Sequence, residues 1–309
     1  MRRLRFGLIG TGYISAKYVS VFRKVKNAEL VAVFSRNKER GIWFSKKYSL
    51  KEFSDFNFFL NEVDAVVITT ENNTHADFGI KAGERGKHIL IEKPVDTDLK
   101  KVKTLIRIGK KKNVKLSVVS QYRFGRLIKS LKEKMISKVK SIELVYFNPR
   151  PDTYYKDSWK GSREKAGGGI VINLLVHFLD VMIWVFGVPK VVSAKISSRH
   201  GLEVEDTAII DLEFPKNIKA KIRATTNTKV KRVYLKIRTK KRVIRISDNI
   251  LSNFIYNPLS FAWNPGTIKL QVEDFIQAIK KNRDPLVTGE EGLRVLKVID
   301  EIYKKSRVF

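Results

Sequence analysis

Short apolar runs alternate with amphipathic segments through the first 121 residues. Leu4 to Ile9, Glu29 to Phe34, Ala65 to Thr70, Lys87 to Ile91 and Lys115 to Gln121 predict strands. Between them, Ile14, Tyr18, Val21 and Phe22 have helical spacing, and His75 to Gly86 and Thr97 to Lys112 predict further helices. Near-continuous apolar strands separated by helices predict an α/β fold that opens with a doubly wound parallel sheet. From Ser141 the pattern turns β-rich, with strands at Ser141 to Asn148, Val191 to Ser198, Thr207 to Phe214, Ile218 to Thr225, Val233 to Arg238 and Arg242 to Ile246. Ile218, Ala220, Ile222 and Ala224 alternate with Lys219, Lys221 and Arg223, which predicts an antiparallel sheet with one apolar and one basic face. Asp211 and Glu213 on the preceding strand are placed to oppose those cations. Amphipathic helices at about Ile268 to Lys281 and Glu290 to Lys304 close the fold. The change of pattern predicts a domain boundary at about residue 121, with residues 1–121 in one domain and 122–309 in the other.

The chemistry gathers where strands end. Gly10-Thr11-Gly12-Tyr13-Ile14 follows the first strand and opens a helix. Gly10 permits a tight turn, and Gly12 lets the backbone approach a pyrophosphate at the positive helix terminus. Ser15 stands where the fingerprint has its third glycine. The second strand ends on Ser35 and Arg36 rather than on the acid that holds a ribose 2′-hydroxyl. That pair suits a 2′-phosphate, which favours NADP slightly over NAD; the plain alternative is that Arg36 caps a solvated loop. Thr70, Asn72 and His75 lie in the turn after another strand and are candidates for the cofactor side, with a structural role for His75 equally open. Glu92, Lys93 and Pro94 end the apolar run His88 to Ile91, where an α/β sheet presents its chemistry. Lys93 is the candidate proton-handling group, and Glu92 braces Lys93 or the cofactor.

In the second half, Asn173 and His177 share a helical face at i, i+4, with Asp180 one turn further. They read equally as a core histidine bonded to Asp180 or as a proton acceptor with an orienting amide. Arg123, Tyr155, Trp159 and Lys160 are candidates for gripping a substrate, and the cations suit a phosphate or carboxylate. No metal is expected, since no two of His75, His88, His177 and His200 have the spacing of a ligand pair and there is no cysteine.

Composition narrows the class without naming the substrate. The 309 residues carry 62 Lys+Arg against 31 Asp+Glu, a net charge of +31. The cations are spread along the whole chain, so a nucleic-acid partner is not expected, and a phosphorylated ligand accounts for part of the excess. The absence of cysteine, of a secretory leader pattern and of an apolar run near membrane-spanning length leads to the expectation of a cytoplasmic protein.

Taken together and in order, Gly10-Thr11-Gly12, Thr70 to His75, Glu92-Lys93-Pro94, Trp159-Lys160-Gly161, Gly167-Gly168-Gly169 and Asn173 to Asp180 resemble the glucose–fructose oxidoreductase/inositol dehydrogenase/rhizopine-catabolism (Gfo/Idh/MocA) family. The resemblance covers essentially the whole chain. It implies a Rossmann domain followed by an α/β domain with a large, mostly antiparallel open sheet. It also implies NAD or NADP, reversible oxidation of a secondary hydroxyl on a sugar or cyclitol, and a homodimer or homotetramer. Lys93 and His177 match its catalytic positions and share the proton, and Asn173 joins them as a catalytic candidate that takes no proton but fixes the hydroxyl by a hydrogen bond. An ordinary lysine is a poor base at neutral pH, and burial with a cationic neighbour would lower it. Asn173 stands where many members have aspartate and is similar to the nucleotide-sugar branch. Glu71 replaces a more usual proline. Inositol or free-sugar dehydrogenases, and a sensor that holds the dinucleotide without turnover, are the alternatives.

Overall fold

A computed structural model describes residues 2–134, 139–156, 158–198, 202–247 and 265–308; His200 lies outside them. The chain divides into two compact units, Met1–Gln121 with Pro265–Leu293, and Tyr122–Asn264 with Arg294–Phe309.

In the first unit the apolar runs become β1 (Leu4–Ile9), β2 (Ala28–Phe34), β3 (Lys51–Phe53), β4 (Ala65–Ile68), β5 (His88–Ile91) and β6 (Leu116–Val118). Between them run α1 (Tyr13–Phe22), α2 (Lys38–Tyr48), α3 (Phe56–Glu62), α4 (His75–Glu84) and α5 (Leu99–Lys111). Every strand pair is parallel, in the order β3-β2-β1-β4-β5-β6. Phe6, Leu8, Ile9, Val66, Val67, Ile68, Ile89, Leu90 and Ile91 have no solvent exposure, as a sheet covered on both faces requires. The polar stops are built into the sequence: Asn37, Asp55 and Asp98 each accept backbone N–H groups at the start of a helix. The chain reverses its direction of winding between β1 and β4, the crevice where such sheets bind ligands.

The second unit contains α6 (Arg126–Lys134), β7 (Val139–Phe147), the short helices α7 (Thr153–Lys156) and α8 (Arg163–Ala166), and α9 (Val176–Phe186). There follow β8 (Lys190–Ser197), β9 (Thr207–Phe214), β10 (Ile218–Thr225), β11 (Arg232–Thr239) and β12 (Val243–Ser247). Beyond α10 (Pro265–Lys280) and α11 (Gly289–Lys305), β13 (Ser306–Val308) returns to the sheet, whose order is β12-β11-β7-β10-β9-β8-β13. Its pairs are antiparallel except β10 with β7 and β13 with β8. Lys219 faces Glu213 and Lys221 faces Asp211 in register, as the alternation predicts.

Two expectations need correction. Pro265–Leu293 belongs with the first unit rather than with residues 122–264. The Gln271 side chain donates to the Val118 carbonyl at 2.8 Å and accepts from the Ser120 amide at 2.9 Å, while Phe275 meets Phe6 with ring centres 6.2 Å apart. Such contacts join residues 151 or more positions apart, and local periodicity carries no trace of them. The segment Arg163–Phe186, which runs from α8 through the glycine triplet into α9, is also long and apolar enough to cross a membrane by composition, although no such run was expected. Of its most apolar window, 83% is buried inside the protein, which marks it as a core helix.

Candidate active site

The first unit presents a cradle for a dinucleotide. Gly10 has φ +112°, and a β-carbon there would meet the Thr69 hydroxyl at 2.9 Å, so glycine is required. Gly12 begins α1 in an extended conformation with no side-chain cap, and a β-carbon on it would meet nothing within 4 Å. The space beside Gly12 at the uncapped start of α1 is open, a good fit for a pyrophosphate. Ser15 is fully buried and its hydroxyl lies 2.7 Å from that of Thr69, tying α1 to the end of β4. Thr11 and Ile14 are partly buried; Tyr13 is exposed beneath the Lys17 ammonium.

Ser35 and Arg36 have different surroundings. Ser35 is buried, and its hydroxyl oxygen accepts from the Asn37 amide at 3.3 Å. Arg36 is exposed and pairs with Glu71, which lies in the turn after β4. In the same turn, the Thr74 hydroxyl donates to Thr70 at 2.8 Å, Asn72 is buried, and the Asn73 side-chain oxygen is buried without a partner among the described residues. His75 is a brace. It is 1% exposed, with Nδ1 2.7 Å from the Pro94 carbonyl and Nε2 3.0 Å from the Thr70 carbonyl. Both ring nitrogens are thus engaged by backbone, and the cofactor contact expected of His75 becomes support for two loops.

The strand-end motif is held from several sides. Glu92 is buried; it accepts from the Tyr18 hydroxyl at 2.9 Å and from the Lys93 amide at 3.2 Å. Tyr18, counted in sequence only as an apolar helix position, thereby anchors the carboxylate next to Lys93, and burial beside Glu92 pushes its phenol well up. Lys93 is partly buried, and the Lys93–Pro94 peptide is cis. Asp96, which sequence reasoning passed over, accepts from the amides of Ala76, Thr97 and Asp98 at 2.7, 2.7 and 2.9 Å. Burial raises its carboxyl group even against those donors. The only local signal for Asp96 is an acid placed just before a helix start.

In the second unit the polar residues sort into structural and outward-facing ones. Arg123 was expected to grip substrate. Instead it is fully buried, with Nε 2.9 Å and Nη2 2.5 Å from the two Asp180 oxygens, and its guanidinium lies 5.5 Å from the Trp184 ring. Asp180 therefore neutralises Arg123. Tyr155 is likewise buried with its hydroxyl 2.8 Å from that of Thr226, and burial pushes its phenol up. Trp159 and Lys160 are partly buried in a short turn capped by Ser158. The Lys160 ammonium lies 4.6 Å from the Tyr154 ring and 5.8 Å from the Trp159 ring, and Arg150 lies 5.1 Å from Tyr154. Burial, and then the charge of Arg150, lower the Lys160 ammonium.

The helix carrying Asn173 and His177 is not α-helical throughout. Val171–Leu175 forms a π-turn, a distortion common at functional sites, and it replaces the assumed i, i+4 alignment. The Asn173 amide donates to the carbonyls of Gly168 at 2.7 Å and Gly169 at 3.2 Å. His177 is partly buried, its ring 5.1 Å from that of Tyr122. The glycine triplet is fastened by Glu205, which accepts from Gly169 N–H at 2.9 Å, Val171 N–H at 3.1 Å and the Tyr303 hydroxyl at 2.8 Å. A β-carbon on Gly169 would overlap the Glu205 backbone. Glu205 and Tyr303 were missed; the one local hint is the acid pair Glu205-Asp206 just before β9.

Comparison with known proteins follows the same division. Residues 4–120 match the oxidoreductase family with an NAD-binding Rossmann fold, and residues 124–245 match the C-terminal domain of that family. The chain is 22% identical to 1,5-anhydro-D-fructose reductase of Ensifer adhaerens, covering 94% of this chain and 92% of the relative. It is 24% identical to the scyllo-inositol 2-dehydrogenase (NADP(+)) IolU of Bacillus subtilis, over 99% and 98%. Among solved structures, the WlbA dehydrogenase of Bordetella pertussis, in complex with NADH and UDP-GlcNAcA, superposes with a TM-score of 0.87 at 25% identity, over 98% and 96%. With a fitted dinucleotide cradle and both domains matched, the chain belongs to the Gfo/Idh/MocA family of NAD(P)-dependent oxidoreductases acting on sugars and their derivatives.

Proposed function

We propose that the substrate is a nucleotide sugar or similarly anionic sugar, oxidised or reduced at a secondary hydroxyl or keto carbon, with NADP slightly favoured over NAD. The observation that carries the substrate class is the set of two cations around one aromatic: Arg150 and Lys160 both within about 5 Å of the Tyr154 ring, beside Trp159. Cations held close together on an aromatic platform favour an anion such as phosphate or carboxylate. The similarity to WlbA supports the same class.

A bound nicotinamide supplies the hydride acceptor. The chain supplies proton handling and position. Lys93 takes the hydroxyl proton and His177 is the second proton-handling group. Asn173 orients the substrate hydroxyl while securing the glycine triplet, and Glu92, fixed by Tyr18, holds Lys93 in place. A cytoplasmic homodimer or homotetramer completes the proposal.

A screen of nucleotide sugars, aldoses and polyols in both directions, with both cofactors, tests it. Turnover should be fastest on a nucleotide sugar. Faster turnover on inositol or a free aldose moves the assignment to that class, and at least tenfold better efficiency with NADH removes the tilt to NADP. Lys93→Met and His177→Ala should each lower turnover more than about a hundredfold. Near-normal turnover in both variants would remove the proton-handling roles.

A further inference from the structure

The loops after β2 and β4 carry a feature that dinucleotide binding alone does not explain. Arg36, just beyond β2, pairs with Glu71 in the turn after β4. In the sheet order β3-β2-β1-β4, the strand between those two loops is β1, whose end carries the glycine turn. The ion pair thus links the loops on either side of that turn. The residues just past β2 meet the ribose 2′ substituent. Of the two expected to hold a 2′-phosphate there, Ser35 is buried, and Arg36 already has a carboxylate on one terminal nitrogen.

We propose that Glu71 is a specificity-determining residue that makes this chain a dual user of NAD and NADP. Its carboxylate supplies, from the neighbouring loop, the acid that is missing at the end of β2. A ribose 2′-hydroxyl can donate to that acid as it does in NAD-preferring folds. A 2′-phosphate, carrying about −1.5 to −2 charge, gains Arg36 but must displace or oppose Glu71. Arg36 is 54% and Glu71 26% exposed at the side chain, so solvent keeps the opposition modest. The expected effect is about tenfold. The proposal rests on the dinucleotide reading of the first unit.

The test is direct binding, followed by titration calorimetry, of NADH, NADPH, 5′-AMP and 2′,5′-ADP to the wild-type chain and to Glu71→Gln. Wild-type dissociation constants for NADH and NADPH should lie within about tenfold of one another. Glu71→Gln should shift the NADPH-to-NADH preference about tenfold toward NADPH, and the 2′,5′-ADP-to-AMP preference in the same sense. Glu71→Ala, expected to shift likewise, serves if the glutamine variant fails to fold. A preference unchanged within twofold, or moved toward NADH, overturns the proposal. Failure of the wild-type chain to bind either dinucleotide overturns the cofactor reading beneath it, and so the two failures are distinct.

Discussion

The Arg123–Asp180 pair sits in an interior that tolerates neither charge alone. Arg123 has no exposed surface and Asp180 9% at the side chain, and the pair is bidentate. Removing one partner of a buried pair costs about 3–5 kcal/mol, because the other charge is left without compensation. Arg123→Leu should therefore lower unfolding free energy by roughly that amount, and Arg123→Leu with Asp180→Leu should recover much of it. Urea unfolding of both variants checks this; a loss under about 1 kcal/mol in the single variant would show that the pair is not holding the fold. The same two residues show what a sequence leaves open. A lone arginine after a strand reads as an anion grip, and an aspartate one turn beyond a histidine reads as its partner. Neither inference includes the partner 57 positions away that actually neutralises each.

At the scale of elements, the π-turn and the glycine triplet depend on contacts from distant segments. Glu205 gathers one amide of the triplet, one of the turn and the hydroxyl of Tyr303, and burial beside Glu205 pushes the Tyr303 phenol well up. Glu205→Ala leaves those donors without their acceptor, at about 1–3 kcal/mol for each one that remains buried. The variant should lose at least about 2 kcal/mol of stability. If the turn positions Asn173 and His177, Tyr303→Phe should lower kcat more than it changes KM and leave the fold intact by circular dichroism. Unchanged kcat in a folded Tyr303→Phe variant would limit the residue to stability. The helix itself was legible from its apolar run, and the strand edges fell within a few residues of their expected places. The π-turn was not legible, and the acceptor that holds its first amide is a carboxylate more than thirty residues downstream.

At the scale of the whole molecule, the charge excess and the open sheet face bear on association. Lys219, Lys221 and Arg223 project from β10 in alternation with buried Ile218, Ala220, Ile222 and Ala224. Glu143 takes both Arg223 and Lys236, and Asp211 lies 3.8 Å from Lys221, which offsets part of the stripe. Val192 and Ile209 are exposed nearby on β8 and β9. Like charges brought together across such a face repel over a Debye length, about 10 Å at moderate salt. The proposed homodimer or homotetramer should therefore strengthen as ionic strength rises, read as mass by light scattering; a monomer at every salt concentration would exclude it. The sequence by itself determined the alternation of strands and helices, the glycine turn, the strand-end lysine and the family, because each lies in short-range spacing and residue type. Only the tertiary structure decided that Pro265–Leu293 returns to the first unit, that Arg123 and His75 are braces, and that Arg36 faces Glu71. Those outcomes depend on which distant group satisfies a buried charge or donor, and a linear pattern does not encode that pairing. The Glu92-Lys93-Pro94 motif belongs to both lists: visible in the chain, and held in place by Tyr18 and His75.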